Sequence, residues 1–129
     1  MKEIIIDTNV FIRFLIKDVL SQFEKAQKVF EKIEKGEIKG LVSILVINEI
    51  VWILENFYEL KREIYIPPLL KLLLLKHLKI IETKKSFIIK ILQKMEKQKF
   101  DFTDFYLSQI AKDKKIFSFD KDFKKIKRE

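Results

Sequence analysis

Four acidic residues hold the chemistry this sequence can offer. Asp7 follows the apolar run Ile4-Ile5-Ile6, and Glu49 lies inside the nearly all-apolar segment SILVINEIVWIL. Asp104 lies in DFTDFYLSQIAK, and Asp120 closes KIFSFD. Carboxylates gathered at one edge of a domain repel one another, and a cation placed among them relieves that repulsion. Oxygen donors alone favour a hard cation, Mg²⁺ or Mn²⁺. One histidine and no cysteine disfavour zinc. The same count leaves no pair of histidines for acid–base cleavage of RNA and no histidine-activated serine. There is no glycine-rich phosphate loop.

Each acid also has an ordinary structural use. Asp7 and Asp120 are good helix N-caps. Asp101 or Asp104 at a helix start would complement the helix dipole. Glu49 resists this treatment, because an apolar helix should be buried and a lone buried glutamate needs a partner. His77, at the end of LLLLKHL, reads as a partly exposed helix-end residue rather than a catalyst.

The elements that must position these acids follow from the apolar pattern. Ile4, Ile5 and Ile6 read as a short, fully buried strand, and Val10, Phe11, Phe14 and Leu15 recur with helical spacing. Ser21 and Glu24 form a capping-box pattern before a helix through Phe23, Ala26, Phe30 and Ile33. GLVS is a second strand, and Ser43 caps a helix running from Ile44 towards Tyr58. Pro67 and Pro68 require the next helix to begin near Ile66 or to kink there. LKIIE is a third strand, Phe87 to Gln98 and Asp101 to Lys112 are helices, and KIFSF is a fourth strand. The basic tail, about residues 121–129, begins as a short helix.

Short apolar strands separated by long helices need crossover connections, so the expected fold is α/β, with a parallel sheet and helices on both faces. In such a sheet ligands bind beyond the carboxyl ends of the strands, which is where the four acids fall. At 129 residues, 48% of them hydrophobic, the chain is expected to form one domain over 1–129. The absence of cysteine fits a reducing cytoplasm. Lys2 and Glu3 followed by three apolar residues predict no secretory leader, and no apolar run is long enough to predict a membrane span. The net charge of +8 suits a polyanionic partner, nucleic acid first, although lysine-rich surfaces also arise from heat adaptation.

Together, IIIDTNVFIRFL, SILVINEIVWIL, DFTDFYLSQIAK and FSFDKDF resemble the PIN domain family, most closely its VapC-type toxin ribonucleases. The resemblance runs from Met1 to about Ile126. It implies a single-domain α/β/α sandwich around a central parallel sheet of short strands, and a Mg²⁺- or Mn²⁺-dependent endoribonuclease activity. Asp7, Glu49, Asp104 and Asp120 match the family's four metal-binding, catalytic acids. Asp101 and Asp122 lie close enough to assist or substitute. Thr8, Asn9 and Ser118 match small polar positions beside the acids, and Arg13 is placed to hold a flanking phosphate. The resemblance further implies an RNA substrate, a homodimer and a small VapB-type antitoxin. A PIN nuclease of RNA processing or decay, and a non-catalytic RNA-binding PIN module, are the alternatives. Pro67 and Pro68 depart from the family, whose members usually carry an ordinary helix there.

Overall fold

The computed structural model describes residues 1–127. Three strands, β1 (Lys2–Ile5), β2 (Ile38–Val42) and β3 (Leu78–Ile80), form a parallel sheet in the order β1-β2-β3. Ile4 faces Gly40 across one ladder, and Gly40 faces Leu78 across the other. The chain returns to the same end of the sheet through α1 (Thr8–Ile16) and α2 (Leu20–Glu34), then through α3 (Ile44–Asn56) and α4 (Arg62–Leu73). After β3 come α5 (Lys85–Lys97), α6 (Phe102–Ala111) and a 3-10 turn over Lys121–Lys124. The chain is thus a small α/β domain with parallel strands in an open sheet, as the spacing of apolar runs predicts.

The core fills the space between sheet and helices with Phe11, Phe30, Ile47, Leu54, Leu69, Leu78, Ile91 and Phe105 among its buried side chains. Gly40 leaves room where Ile33 of α2 packs on the central strand. A Cβ there would lie 2.7 Å from the Ile33 side chain and 2.9 Å from that of Ile6. Any larger residue would force the ends of these two buried side chains to shift.

Several expectations are corrected. The opening isoleucines are not a fully buried strand. Ile6 is buried, but Ile5 is 73% exposed, because β1 is an outer strand of the described sheet and its second face meets no helix at that residue. KIFSF forms no strand. Phe117 and Phe119 are 81% and 95% exposed and pack against each other edge to face at 5.6 Å. So short a run forms a strand only when a neighbour pairs with it, and no described strand does. Ser21 does not cap α2. Val19 holds that position without a side-chain bond, and Ser21 lies inside the first turn. Of the two alternatives at the prolines, the start near Ile66 is excluded: the helix starts at Arg62, ahead of both prolines, and continues through them. The carbonyls that lose their donors belong to Glu63 and Ile64, both on the exposed side, where water can serve them. The tail does begin as a helical turn; Arg128 and Glu129 lie outside the described residues. His77 is half-buried and closes over Gly36, whose φ is +79°.

The start of α3 is held from two directions. The Ser43 hydroxyl accepts from the Leu45 amide at 3.1 Å, as its sequence position predicts. Glu82, just beyond β3, accepts from the Ser43 hydroxyl at 2.5 Å and from the Ile44 amide at 2.8 Å. Burial is the largest single effect and works to raise the Glu82 pKa, but these two donors together with Glu82's own amide outweigh it and leave the carboxyl below its ordinary value. Stability from this clamp is therefore present above the ordinary carboxylate pKa and lost as pH falls through the lower folded value. Glu82→Gln should cost about 1 kcal/mol at neutral pH, the usual worth of a helix cap, and the difference from the parent should close in acid. Denaturation followed at both pH values checks this.

Candidate active site

Asp7 follows β1 directly and stands at the N-cap of α1, yet its side chain accepts no capping hydrogen bond. The position fits the capping expectation; the bond that would give it meaning is absent. Asp120 behaves differently. Its carboxylate accepts from the Asp122 amide at 2.9 Å, and its own amide donates to the Ser118 hydroxyl at 3.0 Å. Ser118 and Asp120 thus shape the turn that opens Lys121–Lys124.

Asp101 is the N-cap of α6, and Asp104 reaches back to accept the Asp101 amide at 3.3 Å. Asp104 is partly buried, and burial is the main reason its carboxyl holds its proton more tightly than an ordinary aspartate. The charges of Asp101, Asp120 and Asp122 push the same way, against the opposing Asp101 amide. The chain therefore brings four acids from two separate segments within electrostatic reach of one another. Asp7 and Glu49 are not among the charges acting on Asp104.

Glu49 is exposed, contrary to the expectation of a buried helix. Helix α3 buries one stripe, Ile44, Ile47, Ile50, Val51 and Leu54, and turns Leu45, Glu49 and Trp52 outward. An apolar sequence all round the helix concealed which face was covered. The burial that seemed to demand a partner for Glu49 is absent.

Two side chains beside the acids carry a further signal. The hydroxyls of Thr8 and Ser108 are buried and make no hydrogen bond. Thr8 adjoins Asp7, and Ser108 lies one helical turn beyond Asp104, on the same face of α6. A buried hydroxyl without a partner costs about 1–3 kcal/mol, so such groups draw attention to a site. Thr8 was legible from its place beside Asp7. Ser108 was not, because nothing in its neighbourhood marks it until α6 is folded.

Arg13 is held rigidly. Its Nε donates to Gln22 at 2.8 Å, and its Nη1 donates to Asp18 at 3.1 Å and to the Tyr58 hydroxyl at 3.3 Å. Tyr58 in turn donates to Asp18 at 3.1 Å. The bond to Tyr58, supported by the Asp18 charge, raises the guanidinium pKa against a smaller effect of desolvation.

Among the described residues no three histidine or acidic side chains form a ready-made metal cage. The donor set is nonetheless of the right chemistry for a hard divalent cation. It consists of carboxylates and hydroxyls, and the charges of Asp101, Asp120 and Asp122, which add to the larger effect of burial at Asp104, are ones a cation would offset. No helix among the described residues is long and apolar enough to cross a membrane.

The PIN domain family matches residues 4–129. The chain belongs to the PIN domain family. PIN domains are generally nucleases, so membership suggests a nuclease and gives the cluster of Asp101, Asp104, Asp120 and Asp122 its context. Neither the curated proteins nor the solved structures yield a match to the chain.

Proposed function

We propose that this PIN domain is a Mg²⁺- or Mn²⁺-dependent endoribonuclease. The observation that carries the proposal is the gathering of Asp104 with Asp101, Asp120 and Asp122 from two segments of the chain, on a fold whose family is generally one of nucleases. Asp104 and Asp120 are the principal metal-holding residues, with Asp7 and Glu49 as the remaining acids of the set. A bound divalent ion would supply Lewis-acid stabilisation of the phosphate and a lower pKa for water.

The remaining work falls to the chain itself. With Asp104 and Asp120 given to the ion, Glu49 is left to complete the set or to orient the water that attacks phosphorus. Asp120 is positioned by the Asp122 amide, which its carboxylate accepts, and by the Ser118 hydroxyl, which accepts its own amide. The Thr8 hydroxyl, beside Asp7, and the Ser108 hydroxyl, one turn beyond Asp104, have no hydrogen-bond partner in the fold and are available to a substrate oxygen that reaches them. Asn9 and Ser118 are polar side chains adjoining the acids, available to the sugar and phosphate of the substrate. The +8 net charge offsets the repulsion that an acidic edge alone would exert on RNA.

The toxin role rests on the resemblance to VapC-type proteins. We extend the proposal to a homodimer and to a small VapB-type antitoxin that blocks the acidic edge with a basic side chain, in the cytoplasm. Growth arrest on induction, relieved by co-expression of the adjacent open reading frame, supports the toxin; indifference to that neighbour supports a nuclease of RNA processing or decay. Light scattering checks the dimer. For the chemistry itself, a labelled RNA should be cut in Mg²⁺ or Mn²⁺ and left intact in EDTA. Equal cleavage in both would remove the metal mechanism, and no cleavage under any condition would favour a non-catalytic RNA-binding module.

A further inference from the structure

Close in sequence to Asp7 and Glu49, α1 and the end of α3 line a cleft of about 250 Å³ whose aromatic walls the hydrolytic site leaves unused. Its walls include Asn9, Arg13, Trp52, Phe57 and Tyr58. Trp52 and Phe57 are 62% and 73% exposed. Phe57 and Tyr58 meet edge to face at 4.9 Å, with ring planes at 79°. Three aromatic side chains at one small opening are unusual on a surface, where exposed aromatic area is costly unless something covers it. We propose that this cleft is a subsite for one unpaired nucleobase of a single-stranded nucleic acid. The proposal deepens the nuclease reading and rests on it for the identity of the polymer.

The chemistry at the cleft favours a base over other occupants. Aromatic rings offer stacking faces to any base. The Asn9 carboxamide presents both a donor and an acceptor to a base edge. Arg13 adds a guanidinium whose place is fixed by Gln22, Asp18 and Tyr58 through Nε and Nη1, while Nη2 takes part in none of those bonds. A preorganised cation of this kind costs little further ordering on binding. On the other side of Arg13 a second cleft, lined also by Gln22 and Lys25, continues the surface. That side offers two cations to an adjoining phosphate. The location is also informative. Asn9 is two residues from Asp7, and Trp52 lies one helical turn beyond Glu49 on the same exposed face of α3. A strand with one base seated here would carry its backbone close to Asp7 and Glu49, two of the acids of the proposed set.

Trp52 is the single tryptophan of the chain, so its emission reports on the cleft directly. The probe is a short 2′-O-methyl oligouridylate, which resists cleavage, titrated in EDTA. Its binding should quench Trp52. An abasic ribose-phosphate oligomer of equal length should bind more weakly and leave the emission unchanged, and a duplex should not quench. By anisotropy of a labelled oligouridylate, Trp52→Ala and Phe57→Ala should each weaken binding about 5- to 100-fold, the range for loss of one stacking ring. Trp52→Phe should restore most of the affinity. Both side chains are exposed, and circular dichroism confirms that the variants fold. Equal quenching by the abasic oligomer, or unchanged affinity in both alanine variants, would overturn the subsite. An absence of any response to the oligouridylate would do so too, leaving the aromatic surface to a protein partner. Asp104→Asn should leave the quench in place, so failure of the nuclease assignment and failure of the base subsite are separate results.

Discussion

Asp104→Asn should abolish RNA cleavage and make the protein more stable. The two effects have one cause. Burial and the charges of Asp101, Asp120 and Asp122 raise the Asp104 pKa, so the ionised carboxylate is held at a cost to the fold. A carboxyl with a raised folded pKa contributes stability that is complete below its ordinary value and lost as pH rises through the folded value. At neutral pH the native protein has lost that stability, whereas the amide never ionises. The variant should gain about 0.5–1 kcal/mol at neutral pH, a modest figure because a partly exposed group is screened by solvent. The advantage should shrink in acid and in high salt. The bond from the Asp101 amide survives, since the Asn carbonyl can accept it, so α6 keeps its start. Cleavage should fall by at least about two orders of magnitude, the scale of removing one electrostatic contact to a transition state. Thermal melts across pH, paired with a gel assay of RNA cleavage, check both halves. A variant that is no more stable at neutral pH would mean that the four acids do not share a field.

Part of this arrangement was legible in the chain before folding, for reasons that can be named. Ser43 announced the start of α3, because a cap acts on amides two or three residues away and needs no distant partner. Asp101 and Asp104 announced α6 in the same way. Glu82 was invisible as the second clamp on α3, since it reaches Ser43 across 39 positions of sequence. Local propensity also misplaced the cap of α2, where packing of Ala26, Phe30 and Ile33 sets the helix and Val19 stands at its boundary without a bond. Periodicity failed on α3 because Leu45, Trp52 and the buried stripe are all apolar. Only the neighbours decide which side is covered, and with it the exposure of Glu49. KIFSF failed for a related reason. Alternation shows that a segment can be a strand, but pairing requires an edge that accepts it.

Asp7→Ala should separate the two meanings of the aspartate that follows Ile6. Were Asp7 a working N-cap, loss of its oxygen would cost about 1 kcal/mol. The Asp7 side chain accepts no hydrogen bond from α1, so the alanine variant should lose only the weaker attraction between a carboxylate and the helix dipole, which salt screens. Its melting temperature should therefore stay close to that of the parent, and closer still at high ionic strength. Cleavage should nonetheless collapse, by at least about two orders of magnitude, because a methyl group cannot hold a hard cation. The melting temperature should also rise less on addition of Mn²⁺ than it does in the parent, since stabilisation by a ligand follows its affinity for the folded state. Asp120→Ala supplies the contrast. That carboxylate accepts the Asp122 amide at 2.9 Å, so its removal should disturb the turn over Lys121–Lys124 as well as the chemistry. A parent-like metal response and full cleavage in Asp7→Ala would exclude Asp7 from the site and leave Asp104 and Asp120 as its centre.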